Sequence, residues 1–220
     1  MNEMKLSISE SEFFSSVRAG DISAVKLALR PEPYLVNFQD EIGKTPLWLA
    51  IENGLIQMVK ALISYGANIN ATDQDGNTLL HLAIMKCLET EGSHARKTFI
   101  EIASILLDSG IDINVTNNKG FSCLHNAAIL GDNSMVMFLL NKGADVDLRS
   151  SEGFTPFLWS LYANIWERDI PKHLETLDIL FRFGADVTAV TQDGKNSLSI
   201  AKEMNLRQQF IGFLHEHGAK

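Results

Sequence analysis

The sequence is short of most things that would simplify a reading. It has two cysteines, Cys87 and Cys123, and no CxxC pair or Cys/His metal spacing. One pair could not staple a chain of 220 residues, so both read as small buried hydrophobes. Positive charge is also scarce. Lys and Arg number 19 against 27 Asp and Glu, a formal net of −8. A chain with this balance and no basic stripe is a poor candidate for gripping phosphate backbones, so no nucleic-acid partner is expected. No run approaches 18 apolar residues, so no membrane insertion is expected. The opening Met1-Asn2-Glu3-Met4-Lys5 lacks the pattern of a secretory signal, and a cytoplasmic place of action is expected. Walker loops, GxGxxG, GxSxG and HExxH are absent. No enzyme activity, cofactor or metal is therefore expected.

What the chain does have is 45% hydrophobic residues, enough for a packed core, and a repeat. Gly43, Gly76, Gly120, Gly153 and Gly194 each open a similar phrase. The clearest is Gly43-Lys44-Thr45-Pro46-Leu47-Trp48-Leu49-Ala50, matched by Gly76-Asn77-Thr78-Leu79-Leu80-His81-Leu82-Ala83 and Gly120-Phe121-Ser122-Cys123-Leu124-His125-Asn126-Ala127. Intervals of 33, 44, 33 and 41 resolve into one period of 33 with surpluses of 11 and 8. A second glycine series, Gly66, Gly110, Gly143 and Gly184, follows apolar stretches such as Ala61-Leu62-Ile63 and Phe138-Leu139-Leu140.

Thr45 suits a helix N-cap and Pro46 the first helical position, where its missing N–H is harmless; Thr155-Pro156 repeats that start. The second glycine series suits the left-handed residue that ends a helix. Asp-x-x-Gly, from Asp40 to Gly43 and Asp73 to Gly76, supplies the turn of a short hairpin finger. Each unit is then helix A, turn, helix B, finger. One unit cannot bury its own apolar face, so neighbours must stack.

The phrase Gly-x-Thr-Pro-Leu-His-x-Ala, an apolar helix and Gly-Ala-Asp together resemble the ankyrin-repeat family. The resemblance implies an all-α solenoid of helix-turn-helix units with short β-hairpin fingers. It predicts one domain, 1–220, with repeats near 6–38, 40–72, 73–116, 117–149, 150–190 and 191–220. In the first repeat Ile22 to Leu29 reads as helix B, followed by an irregular finger. In the last, Leu206 to His217 reads as helix B, with His215 and His217 facing solvent. The surpluses fall between helices A and B, at 86–97 and 164–173, and predict longer helices with a displaced turn that lacks the repeat's glycine. They are tolerated growth or a pair of lips that meet a partner. Trp166, an aromatic in a charged stretch, keeps the second option open.

The resemblance also makes His81 and His125 framework residues that bond backbone between repeats. His94 and His173 lie one in each surplus stretch, where a metal-dependent or enzymatic site is the alternative reading. Ankyrin-like proteins bind proteins with finger tips and the exposed side of helix A. The matching positions include Ile42 and Lys44, then Gln74, Asp75 and Met85, then Lys119, Phe121, Ile129 and Leu130, then Glu152, Phe154 and Tyr162. The apolar centre these make, Met85, Phe121, Ile129, Leu130, Phe154 and Tyr162, has a polar rim, the layout of an interface. The expected function is a non-catalytic protein-interaction module, monomeric by itself, taking a neutral or basic protein. Adaptor, stoichiometric inhibitor, toxin-neutralising partner and secreted effector remain open.

Overall fold

A computed structural model describes residues 9–90, 92–163, 170–204, 206 and 208–219. The packing divides the chain into two compact units, one ending at Ile111 and the other beginning at Asp112.

The first unit holds α1 (Glu10–Ala19), α2 (Ile22–Leu29), a 3₁₀ turn (Pro33–Asn37), α3 (Pro46–Glu52), α4 (Ile56–Ser64), α5 (Leu79–Glu89) and α6 (Ser93–Asp108). Its A helices α1, α3 and α5 pack in sequence, as do its B helices α2, α4 and α6. Phe13, Leu35, Leu47, Ile51, Met58, Leu62, Leu80 and Ile102 fill the space between the two layers. The second unit holds α7 (Cys123–Ile129), α8 (Asn133–Asn141), α9 (Pro156–Ala163), α10 (Ile170–Arg182), α11 (Ser197–Glu203) and α12 (Gln208–Glu216). There α9 packs between α7 and α11, α8 against α10, and Leu124, Met135, Leu139, Phe157, Leu180 and Phe210 form the core.

The helix starts follow the sequence expectation. Thr45 Oγ1 accepts from Trp48 N at 3.2 Å and Thr155 Oγ1 from Leu158 N at 3.3 Å. In the last repeat Asn196 takes the threonine's place and caps α11 through Ser199 N at 2.8 Å. Thr45 and Thr155 are buried, and bonding an orphan N–H group satisfies each hydroxyl. At the other end of each unit, Gly66, Gly110, Gly143 and Gly184 have φ of 85°, 97°, 91° and 94°. An L side chain there would strain the backbone.

The repeats are tied together through side chains that take backbone bonds. His125 Nε2 donates to Phe154 O at 3.0 Å, which leaves Nδ1 to accept from Ser122 N at 3.2 Å. Asn114 Oδ1 accepts from Asp145 N at 2.8 Å, and Asp147 Oδ1 from Asp186 N at 2.9 Å. The irregular first finger keeps this tie, because Asn37 accepts from Asn68 N at 2.7 Å and donates to Gly66 O at 3.2 Å. Fingers also meet backbone to backbone: Ser151 N donates to Lys119 O at 3.0 Å and Gln192 N to Glu152 O at 2.9 Å. A Cβ on Gly120 would collide with the Ser151 backbone, so that position tolerates only glycine.

Both surplus stretches lengthen helices. α5 and α6 run 11 and 16 residues, against 7 and 9 for α3 and α4. Ordinary A–B turns carry Gly54 and Gly131, at φ 67° and 60°. The expectation of a displaced turn without glycine needs correcting in the first surplus, where Gly92 at φ 122° immediately precedes α6. α10 begins at Ile170, with Pro171 in its first turn. Residues 164–169 lie outside the described residues, and Trp166 with them. His217 does not simply face solvent. It stacks on Phe213 with centroids 4.0 Å apart and meets the edge of Phe181 at 4.4 Å.

His125→Ala leaves Ser122 N and Phe154 O without their bonds. It is expected to lower stability by about 2–3 kcal/mol in urea unfolding; a loss below about 0.5 kcal/mol contradicts the tie. Burial, with Asp186 and Asp145 nearby, raises the Asp147 carboxyl above the ordinary range, against the pull of the Asp186 N–H. The folded form therefore holds that proton more tightly, and this contribution weakens as pH rises through the carboxylate range. Asp147→Asn keeps the acceptor oxygen and should gain stability relative to the parent between pH 4 and pH 7; a relative loss contradicts it.

Candidate functional site

In the second unit an aromatic row runs from a finger onto α9. Phe121 follows the finger glycine, and its ring lies 5.3 Å from Trp159. Trp159 stacks on Tyr162 at 5.3 Å with planes 19° apart. All three are half-buried. Phe154 lies beneath them, 4.8 Å from Trp159 and 5.7 Å from Tyr162, and only 7% exposed. Phe121 and Phe154 occupy the same register position, yet one is a partly open surface and the other is covered by two rings. The expectation that Phe154 is an exposed slot is corrected on that ground: it supports the row from below.

Trp159 escaped the sequence reading. It fills the x of the His-x-Ala stretch, where Leu49 and Ile200 are buried and Leu82 and Asn126 are half-buried. The polar Asn126 was the one signal that this position reaches the surface. Trp159 Nε1 is buried and has no hydrogen-bond partner among the described residues. Ile129 and Leu130, at the end of α7, are half-buried. Lys119 and Glu152 are exposed at the finger tips, where their carbonyls hold the next finger.

In the first unit the structure brings five of the expected residues to one groove of about 700 Å³. Ile42, Lys44, Gln74, Asp75 and Met85 line it, with Trp48 and Leu82 as its floor. Ile42 is 69% exposed. Lys44 Nζ is 2.8 Å from Glu52. Lys86 and Glu89 join the lining from the lengthened end of α5, so the first surplus stretch adds wall to this groove.

His81 and His125 are framework residues, each with Nδ1 on its helix cap. His94 is exposed in the first turn of α6, in the first unit, and His173 is buried beside Gly131, in the second. Among the described residues no group of three or more His, Cys, Asp or Glu is placed to hold a metal. Both cysteines are buried, and burial pushes the Cys123 thiol far up, away from the reactive thiolate. No helix among the described residues is long and apolar enough to cross a membrane.

The family profile described as "Ankyrin repeats (3 copies)" matches residues 13–91 and 93–191. The chain belongs to the ankyrin-repeat family. An ankyrin repeat domain from Acinetobacter baumannii AYE superposes with a TM-score of 0.75 over 96% of this chain and 100% of that one, at 23% identity. Among curated relatives, Palmitoyltransferase AKR1 of Lachancea kluyveri is 33% identical over 184 residues. That match takes in 83% of this chain and 23% of the relative. The B-cell lymphoma 3 protein homolog of Mus musculus is 28% identical over 172 residues, 78% of this chain and 35% of the relative. The chain thus spans about a quarter to a third of these relatives' length. Ankyrin repeats generally mediate protein–protein interaction, and the family is mainly non-enzymatic.

Burial separates the two phenylalanines experimentally. Phe154→Ala is expected to cost about 3 kcal/mol of stability and Phe121→Ala about 1 kcal/mol, read by urea unfolding. Equal losses would contradict their placement.

Proposed function

We propose that this ankyrin-repeat chain is a non-catalytic protein-interaction module, an adaptor or stoichiometric regulator, that holds its partner on the face made by finger tips and the open side of the A helices. The observation that carries the reading is the row Phe121, Trp159 and Tyr162, three half-open aromatic rings in which Trp159 touches each of the other two. Such rings bring large contact area at little ordering entropy, and anchors of this type dominate interface energetics. The framework supports the reading, because backbone bonds between repeats hold the face ready before a partner arrives.

The name palmitoyltransferase, borne by the Lachancea relative, favours a second reading in which such repeats serve a longer enzyme. Within this chain the buried cysteines speak against an acyl-thioester nucleophile. Incubating the purified chain with a radiolabelled palmitoyl thioester tests that reading, and label fixed on the protein would favour it.

The first reading is tested by affinity capture from the native cell with the parent chain and with Phe121→Ala/Tyr162→Ala. Proteins recovered by the parent should fall about tenfold or more with the variant, while the variant still melts cooperatively. Equal recovery by both chains contradicts the reading.

A further inference from the structure

The groove of the first unit differs in character from the aromatic row of the second. Its floor is apolar, made by Trp48, Leu82 and Met85, with the 69% exposed Ile42 at the rim. It adjoins a second hollow of about 560 Å³, which shares Gln39 and Ile42 and adds the rings of Phe14 and Phe38. Around these two adjoining hollows stand seven carboxylates and three cations. Each cation is already engaged: Arg18 with Asp40 at 3.3 Å, Lys44 with Glu52 at 2.8 Å, Lys86 with Glu89 at 3.2 Å. Glu10, Glu41, Asp73 and Asp75 have no cation within ion-pair distance among the described residues. The groove therefore offers contact area for an apolar side chain and a surplus of negative charge on both sides of it.

We infer that the occupant of this groove is a basic segment of a partner protein, one that lays an apolar side chain on the Trp48–Leu82–Met85 floor and directs Arg or Lys to Glu41, Asp73 and Asp75. Charge complementarity selects the occupant. An acidic segment would meet four uncompensated carboxylates, and a neutral one would leave them unanswered. The lengthened α5 belongs to this site, because Glu89 lies in the surplus stretch and holds Lys86, which keeps that cation from repelling the incoming charge. The inference rests on the interaction-module reading and adds the partner's chemistry.

Three fluorescein-labelled peptides of about twelve residues test it by polarisation against the full chain. They share one Leu and Met spacing, and their other positions are Arg and Lys, Gln and Ser, or Glu and Asp. The basic peptide should bind about tenfold or more tighter than the neutral one, and more weakly as salt rises from about 50 to about 500 mM. Glu41→Gln/Asp73→Asn/Asp75→Asn should weaken the basic peptide about fivefold or more and leave the neutral one unchanged. Asn117 takes the same backbone bonds in its finger as Asp73, accepting from Phe121 N at 3.0 Å, so the asparagine keeps the backbone turn and gives up only the Asn77 side-chain bond to Asp73. A control with equal charge change at carboxylates that do not line either hollow, Glu101→Gln/Asp108→Asn/Glu216→Gln, should keep full affinity. Equal weakening by both variants, or equal binding of the basic and neutral peptides, overturns the basic occupant but leaves a groove that binds peptide. Binding by none of the three overturns it as well, and the module reading then stands or falls on the Phe121/Tyr162 variant alone.

Discussion

No helix in the ordinary repeats could hold its shape alone. α3 and α7 are seven residues long, far below the length at which an isolated helix survives in water. Each is made stable by two things: closure of its own ends and burial against the next repeat. Thr45, Thr78, Ser122 and Asn196 close the starts. Left-handed glycines close the ends. Where one repeat meets the next, side chains take the bonds that backbone alone could not make, as His125 does with Phe154 O and Asp147 with Asp186 N. An unpaired buried carbonyl would cost about 1–3 kcal/mol, so the buried His125 tie weighs most in holding those two repeats in register, and the exposed Asp147 tie adds less.

This economy of the backbone leaves side chains at finger tips and on the open side of the A helices with little structural duty, and they diverge. In the second unit they are aromatic: Phe121, Trp159 and Tyr162. In the first they are apolar below and acidic above, with Lys44 and Lys86 already spoken for by Glu52 and Glu89. One scaffold therefore presents two chemically different surfaces. Surface ion pairs of this exposure contribute at most about 1 kcal/mol each, so their role here is to set the sign of the field rather than to hold the fold.

Much of the fold was legible because its constraints are local. The capping residue at the start of helix A, the glycine of the finger and the glycine after helix B are each fixed by one backbone requirement, and they recur on a basic period of 33 interrupted by two surpluses. The same logic read α2 as Ile22–Leu29. The site was less legible because exposure depends on neighbours. Phe121 and Phe154 share a register position whose other occupants, Lys44, Asn77 and Lys195, are polar, so both read as surface. Both rings meet Trp159, but Phe154 meets Tyr162 as well and is buried, while Phe121 keeps an open side. Trp159 was missed because its position holds core leucine or isoleucine in two other repeats. The surpluses of 11 and 8 residues were visible in the glycine intervals. Their division into helix and turn was not, since nothing in the period says how a longer helix A ends. Gly92 marks that end for the first.

Everything above turns on the open side of the A helices and the finger tips forming the binding face. Amide hydrogen exchange of the chain, free and with its captured partner, tests this most directly. A partner held on that face should add protection in the fingers near Asp40–Lys44, Asp73–Asn77, Asn117–Phe121 and Ser150–Phe154 and in α3, α5, α7 and α9. Protection confined to α4, α6, α8 and α10 would place the partner on the opposite layer and contradict it.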